Sequence, residues 1–181
     1  MTEQFKIALR SLKRQYPTLL EIIGAQWALE SNYGKSPLAR EAANYSGLGY
    51  RDLSAHLPKD VWERVGKCEY TGQDGDTKDY LLLYKPADFP EVYMAFLSRP
   101  HYKIVETDPS VRIYSPKFFD ELPFHFMAHI ASKGFCYWVK NVKRKDFETE
   151  EEYLRATFRQ YLADVMICAN SKKFRALLEE L

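Results

Sequence analysis

Cysteine is scarce in this chain. Cys68, Cys136 and Cys168 are odd in number and widely spaced, and no Cys-x-x-Cys pair occurs. That leaves no disulfide framework and no thiolate zinc motif, and reads as free thiols in a reducing compartment. An excess of one charge is also lacking: 26 Lys and Arg stand against 25 Asp and Glu, for a net +1. No global field draws the protein to nucleic acid, so no nucleic-acid partner is expected. The basic run Lys140, Lys143, Arg144 and Lys145 reads as a solvated loop or as a contact for an anionic wall polymer. No apolar run approaches the roughly 20 residues that span a bilayer, so no membrane insertion is expected. The opening Met-Thr-Glu-Gln-Phe-Lys has no apolar signal core. The expectation is synthesis in the cytoplasm without a signal peptide, with delivery by other means if the target lies outside. Repeats, low-complexity tracts, a P-loop, a dinucleotide fingerprint and a Gly-x-Ser-x-Gly elbow are all missing. His125 and His129 are four apart, but no His-Glu-x-x-His pattern accompanies them. No metal and no organic cofactor is expected.

Aromatic residues, by contrast, are plentiful: 13 Tyr, 11 Phe and 3 Trp, 15% of the chain. Rings of this kind pack cores and also line sugar- or base-binding clefts, because tyrosine offers an apolar face and a polar tip. With 181 residues, 46% of them apolar, the chain suits one domain with a sizeable core. Phe5, Leu9, Leu12 and Tyr16 fall on one helical face, which predicts a helix over residues 2–16. Pro17 opens a second helix, apolar on most sides and ending near Tyr33-Gly34, where glycine can take the left-handed conformation. Ser36 and Pro37 read as N-cap and first turn of a short helix to about Asn44. Residues 45–50 then form a glycine-bearing loop. Two strands around a polar turn, 65–70 and 79–84, predict a β-hairpin. Helices follow over 86–98, 116–133, 150–169 and 171–181, the 150–169 helix capped by Thr149. The fold class is therefore mainly α (α+β), with a small hairpin lobe at about 65–84 inside one domain, 1–181.

Glu30 is the only acid between Glu21 and Glu41, and its neighbours are mostly apolar or uncharged. A carboxyl at a helix end against aromatic rings keeps a proton near neutral pH, as a general acid must. Glu69, on the first hairpin strand, lies by alternation on the face opposite Cys68 and Tyr70. Two carboxylates from different elements across a cleft are the equipment of glycoside hydrolysis. From spacing and neighbours alone, a capping or surface role for Glu30 and a solvent-facing strand role for Glu69 are the commoner ones.

The run Gln26-Trp27-Ala28-Leu29-Glu30-Ser31-Asn32-Tyr33-Gly34-Lys35-Ser36-Pro37-Leu38-Ala39, followed by Asn44-Tyr45-Ser46-Gly47-Leu48, resembles the glucosaminidase domain of glycoside hydrolase family 73. Members show Gln-x-Ala-Leu-Glu-Ser-x-(aromatic)-Gly-x-Ser-x-Leu-Ala and then an Asn-x-(Phe)-Gly loop. The resemblance extends weakly over residues 15–165. It implies a lysozyme-like helical domain with a small β lobe. It also implies hydrolysis of the β-1,4 bond between N-acetylglucosamine and N-acetylmuramic acid in peptidoglycan. Glu30 would be the general acid, and Glu69 the second carboxylate. The family's later Gly-Tyr motif reads Gly134-Phe135-Cys136-Tyr137 here, so Tyr137 would stand in for the catalytic tyrosine. Sugar rings would stack on Trp27, Tyr33, Tyr50 or Tyr137, with hydroxyls bonded to Asn44 and the backbone from Gly47. The missing signal peptide suggests a delivered enzyme: a phage endolysin, a phage tail component or a secretion-system effector acting on the cell wall. Two alternatives stay open: a lytic transglycosylase or muramidase on the same fold, and a non-catalytic peptidoglycan-binding or structural module of a phage or secretion assembly.

Overall fold

The computed structural model describes residues 1–72, 75–99 and 142–181. It is mainly helical, with one two-stranded antiparallel sheet, as the sequence pattern predicts. Helix α1 (Glu3–Gln15) starts at Thr2, whose hydroxyl accepts from the Phe5 amide at 3.3 Å. It buries Phe5, Ala8, Leu9 and Leu12, spaced three and four apart on one face. A 3-10 turn at Pro17–Leu19 leads into helix α2 (Leu20–Glu30). Residues 22–28 of α2 are all buried, so this helix is the axis of the domain.

The end of α2 differs from the sequence expectation. The helix stops at Glu30, three residues early, and Asn32, Tyr33 and Gly34 all take positive φ (50°, 57° and 73°). The reason lies in Ser31. Its hydroxyl donates back to the Trp27 carbonyl at 2.5 Å and accepts from the Gly34 amide at 2.8 Å. These bonds compete with helix continuation and fold the chain sharply back. Gly34 is required there, because a Cβ would lie 2.6 Å from the Phe5 Cβ and 2.7 Å from the Thr2 hydroxyl. The turn delivers Ser36 to the N-cap of helix α3 (Pro37–Ala42), where it accepts from the Ala39 amide as expected. Helix α3 ends at Ala42, with Ala43 left-handed (φ 49°).

A short helix not anticipated from the sequence, α4 (Lys59–Trp62), precedes the hairpin. Strands β1 (Val65–Thr71) and β2 (Thr77–Leu83) pair with Val65 opposite Leu83 and Glu69 opposite Asp79. Residues 48–50 line up along the free edge of β2. The Tyr50 amide donates to the Asp79 carbonyl at 2.8 Å, and the Leu81 amide donates to the Leu48 carbonyl at 3.0 Å. Helix α5 (Phe89–Leu97) is buried except at Glu91 and presents Phe89 and Tyr93 to Trp27.

Helix α6 (Glu150–Asn170) carries the expected Thr149 cap, with Glu152 closing a capping box. It packs along α2 through Tyr161, Val165 and Ala169. Helix α7 (Lys172–Glu179), capped by Ser171, covers α2 with Phe174 and Leu177. The helix expected over 116–133 lies outside the described residues. Among the described residues, no helix is long and apolar enough to cross a membrane.

Candidate active site

Glu30 lies on the last turn of α2 and is partly exposed. Four residues before it, on the same face, Gln26 is fully buried. The two carboxylate oxygens receive different donors. Oε1 accepts from the Tyr161 hydroxyl and from Gln26 Nε2 at 3.2 Å. Oε2 accepts from the Ser46 hydroxyl at 2.7 Å. Behind this shell, Gln26 Nε2 also donates to the Tyr161 hydroxyl at 2.8 Å, and the Tyr93 hydroxyl donates to Gln26 Oε1 at 2.5 Å. The Tyr93 bond fixes the Gln26 amide so that its N–H groups, not its carbonyl, face Glu30.

Two opposing effects act on the Glu30 proton. Burial disfavours the carboxylate, while the three donors from Tyr161, Ser46 and Gln26 favour it. Burial dominates and lifts the pKa from the ordinary 4.5 to about 7. Burial and the neighbouring Glu30 charge push the Tyr161 hydroxyl well above its usual range, so Tyr161 remains a donor. With two donors converging on Oε1, the acidic proton belongs on Oε2. There the Ser46 hydroxyl can rotate from donor to acceptor. The proton is thus aimed at the loop that Ser46 begins.

That loop leads directly into a cavity of about 550 Å³. Gly47, Gly49, Tyr50 and Arg51 line it together with Lys78, Asp79 and Tyr80 of β2. Gly47 is left-handed at φ 59°. Glu30 and Ser46 do not themselves line the cavity, which begins at the next residue, Gly47. A protonated carboxyl has the chemistry to protonate a leaving oxygen.

The other residues singled out from the sequence fall in several places. Gly47 and Tyr50 line this cavity. Glu69 is exposed on the hairpin face that carries Lys67, Asp79 and Leu81. Its opposite number Asp79 is bound by Lys67 Nζ at 3.1 Å. Tyr33 lines a different cavity of about 330 Å³ against Cys168 and Ser171, which shares no residue with the first. Its ring lies 3.5 Å under Lys173 Nζ. Trp27 and Asn44 are corrected outright as sugar-binding residues. Trp27 is completely buried, with its ring edge against Phe89 and Tyr93 at 4.7 and 5.3 Å between centroids. Asn44 is buried, and its side chain bonds the Leu48 amide and carbonyl and the Leu81 carbonyl. It stitches the loop to β2, and its burial keeps it from a ligand. Tyr137 lies outside the described residues, as do Phe135 and Cys136.

Sequence reasoning missed Tyr161, Tyr93 and the part played by Ser46. The one available signal was the spacing of Gln26 and Glu30, which places a buried amide beside the carboxyl. Among the described residues, no three His, Cys, Asp or Glu side chains gather as a metal site. Comparison with known proteins gives no match, whether to a family model, a curated protein or a solved structure.

Proposed function

We propose that this protein is a peptidoglycan hydrolase of the glucosaminidase type, with Glu30 as its general acid. The observation that carries the reading is the Glu30 carboxyl itself. It holds a proton to about pH 7 and is gripped by three donors, one of which, Ser46, directly precedes a cavity-lining residue, Gly47. In the reaction, Oε2 gives its proton to the glycosidic oxygen as the bond to the anomeric carbon breaks. The resulting Glu30 carboxylate is stabilised by Tyr161, Gln26 and Ser46, the donors already in place. Glu69, on the exposed hairpin face, is the second carboxylate, which activates water or supports the oxocarbenium-like centre. Sugar rings lie along the cavity between Tyr50 and Tyr80. The resemblance of residues 26–39 and 44–48 to the family 73 glucosaminidase domain supplies the substrate in this reading, and the acid's geometry supplies the chemistry.

Zymography on peptidoglycan tests the activity. Clearing by the parent protein and none by Glu30→Gln is expected, and equal clearing by both overturns the role of Glu30. Mass spectrometry of the released fragments tests the bond. A reducing-end N-acetylglucosamine is expected. A reducing-end N-acetylmuramic acid or its anhydro form would move the activity to a muramidase or a transglycosylase.

A further inference from the structure

The cavity beside Ser46 is not neutral. Asp79 is bound by Lys67 Nζ at 3.1 Å, and Lys78 Nζ is bound by Asp76 at 3.3 Å. Arg51 is different. One of its guanidinium nitrogens donates to its own neighbour's carbonyl, that of Tyr50, at 2.7 Å. Among the described residues it forms no ion pair with any carboxylate. Arg51 is exposed and lines the cavity. Of the charged side chains that line the cavity, Arg51, Lys78 and Asp79, Arg51 is the one outside an ion pair among the described residues.

The position of Arg51 is built by the backbone. The Tyr50 amide is hydrogen-bonded to the Asp79 carbonyl, so the residue that precedes Arg51 is locked to the edge of β2. Asn44 fixes the other end of the same loop through both its amide and its carbonyl. The guanidinium, tethered at Nη1 to the Tyr50 carbonyl, has its fork partly pre-set. Tyr80 is held by its edge contact with Tyr70, at 6.0 Å between centroids. Two tyrosines and one forked cation with free donors, around a cavity of about 550 Å³, match a saccharide ring that carries a carboxylate.

We infer that Arg51 is a specificity-determining residue that selects glycan carrying a carboxylate over neutral glycan of the same β-1,4 aminosugar backbone. The inference rests on the proposed glycosidase reading and deepens it. The carboxylate can be borne by the sugar, on its lactyl ether, or by an attached peptide. Arg51 recognises the shared chemistry, a planar anion at the edge of a sugar ring. Lys78, already paired with Asp76, contributes less.

Binding is measured by calorimetry in the Glu30→Gln protein, which leaves the saccharides uncleaved, with and without Arg51→Gln. Three probes are used: neutral N-acetylglucosamine tetramer, peptide-free alternating tetrasaccharide with a free lactyl carboxylate, and the same tetrasaccharide bearing peptide stems. Arg51→Gln is expected to weaken the carboxylate-bearing probes about fivefold, the scale of one exposed charge-assisted contact, and to leave the neutral tetramer within about twofold. Retained binding of the neutral tetramer also certifies that the variant is folded. Loss confined to the peptide-free probe assigns the carboxylate to the sugar, and loss confined to the peptide-bearing probe assigns it to the stem. Either result supports the inference. Equal affinity of the two proteins for all three probes overturns it while leaving the glycosidase reading intact. Failure of the Glu30→Gln protein to bind any of the three overturns both.

Discussion

A carboxyl kept protonated by burial must weaken the fold once it ionises, and this can be measured apart from any activity. In the unfolded chain Glu30 titrates near its ordinary 4.5, whereas in the folded protein it titrates at about 7. Between those values the folded state binds more protons than the unfolded state, so stability falls as pH rises. Below pH 4.5 both states are protonated and there is no penalty. Above pH 7 the penalty is complete. At about 1.4 kcal/mol for each tenfold change in proton affinity, it reaches at most about 3 kcal/mol. Glu30→Gln removes the ionisation and keeps the shape. The new amide can leave its carbonyl to Tyr161 and Gln26 and turn its N–H towards Ser46, whose hydroxyl then accepts. The assay is urea unfolding of parent and variant at pH 4 and pH 8. Every other group titrates alike in the two proteins, so the difference of differences isolates Glu30. The variant should gain on the parent by up to about 3 kcal/mol between the two pH values. Parallel pH profiles for the two proteins would refute the claim that burial, rather than the donors around it, controls the Glu30 proton.

Four further outcomes are expected. Lysis of peptidoglycan should fall as pH rises through about 7, because the acid must carry its proton, and Glu30→Gln should lower the rate about a hundredfold or more. Tyr161→Phe removes a donor to the Glu30 carboxylate, so the high-pH limb of activity, and the Glu30 carboxyl signal followed by carbon-13 NMR, should both move upward; an unmoved titration argues against the Tyr161 bond. Asn44→Ala leaves the buried Leu48 amide without its acceptor and removes a donor from the Leu48 and Leu81 carbonyls, and should cost about 1–3 kcal/mol in chemical denaturation. Gly34→Ala forces a methyl group to within 2.6 Å of Phe5 at positive φ and should lower stability by about 2 kcal/mol or more in the same assay.

The parts of this protein that could be read from its sequence are those governed by neighbours along the chain. Ser36-Pro37 and Thr149 announce helix starts because a hydroxyl needs only the amide two or three residues on. Leu9, Leu12 and Phe5 announce a buried face because helical spacing is local. The hairpin follows from two apolar, β-branched or aromatic runs and a polar turn, and Glu30 stands out as a lone acid in uncharged company. Tertiary structure alone decided which residues surround that acid. Tyr161 reaches Glu30 from 131 residues away, and Tyr93 reaches Gln26 from 67. No local pattern encodes either approach. Tertiary structure also moved Trp27 and Asn44 from a supposed sugar surface into the interior, because α5 brings Phe89 and Tyr93 over one and β2 comes alongside the other. The sequence determined that a carboxyl would sit at a helix end. Its proton affinity depends on how much water is excluded and how many donors converge, and only the packing of α2, α6 and the Ser46 loop sets those.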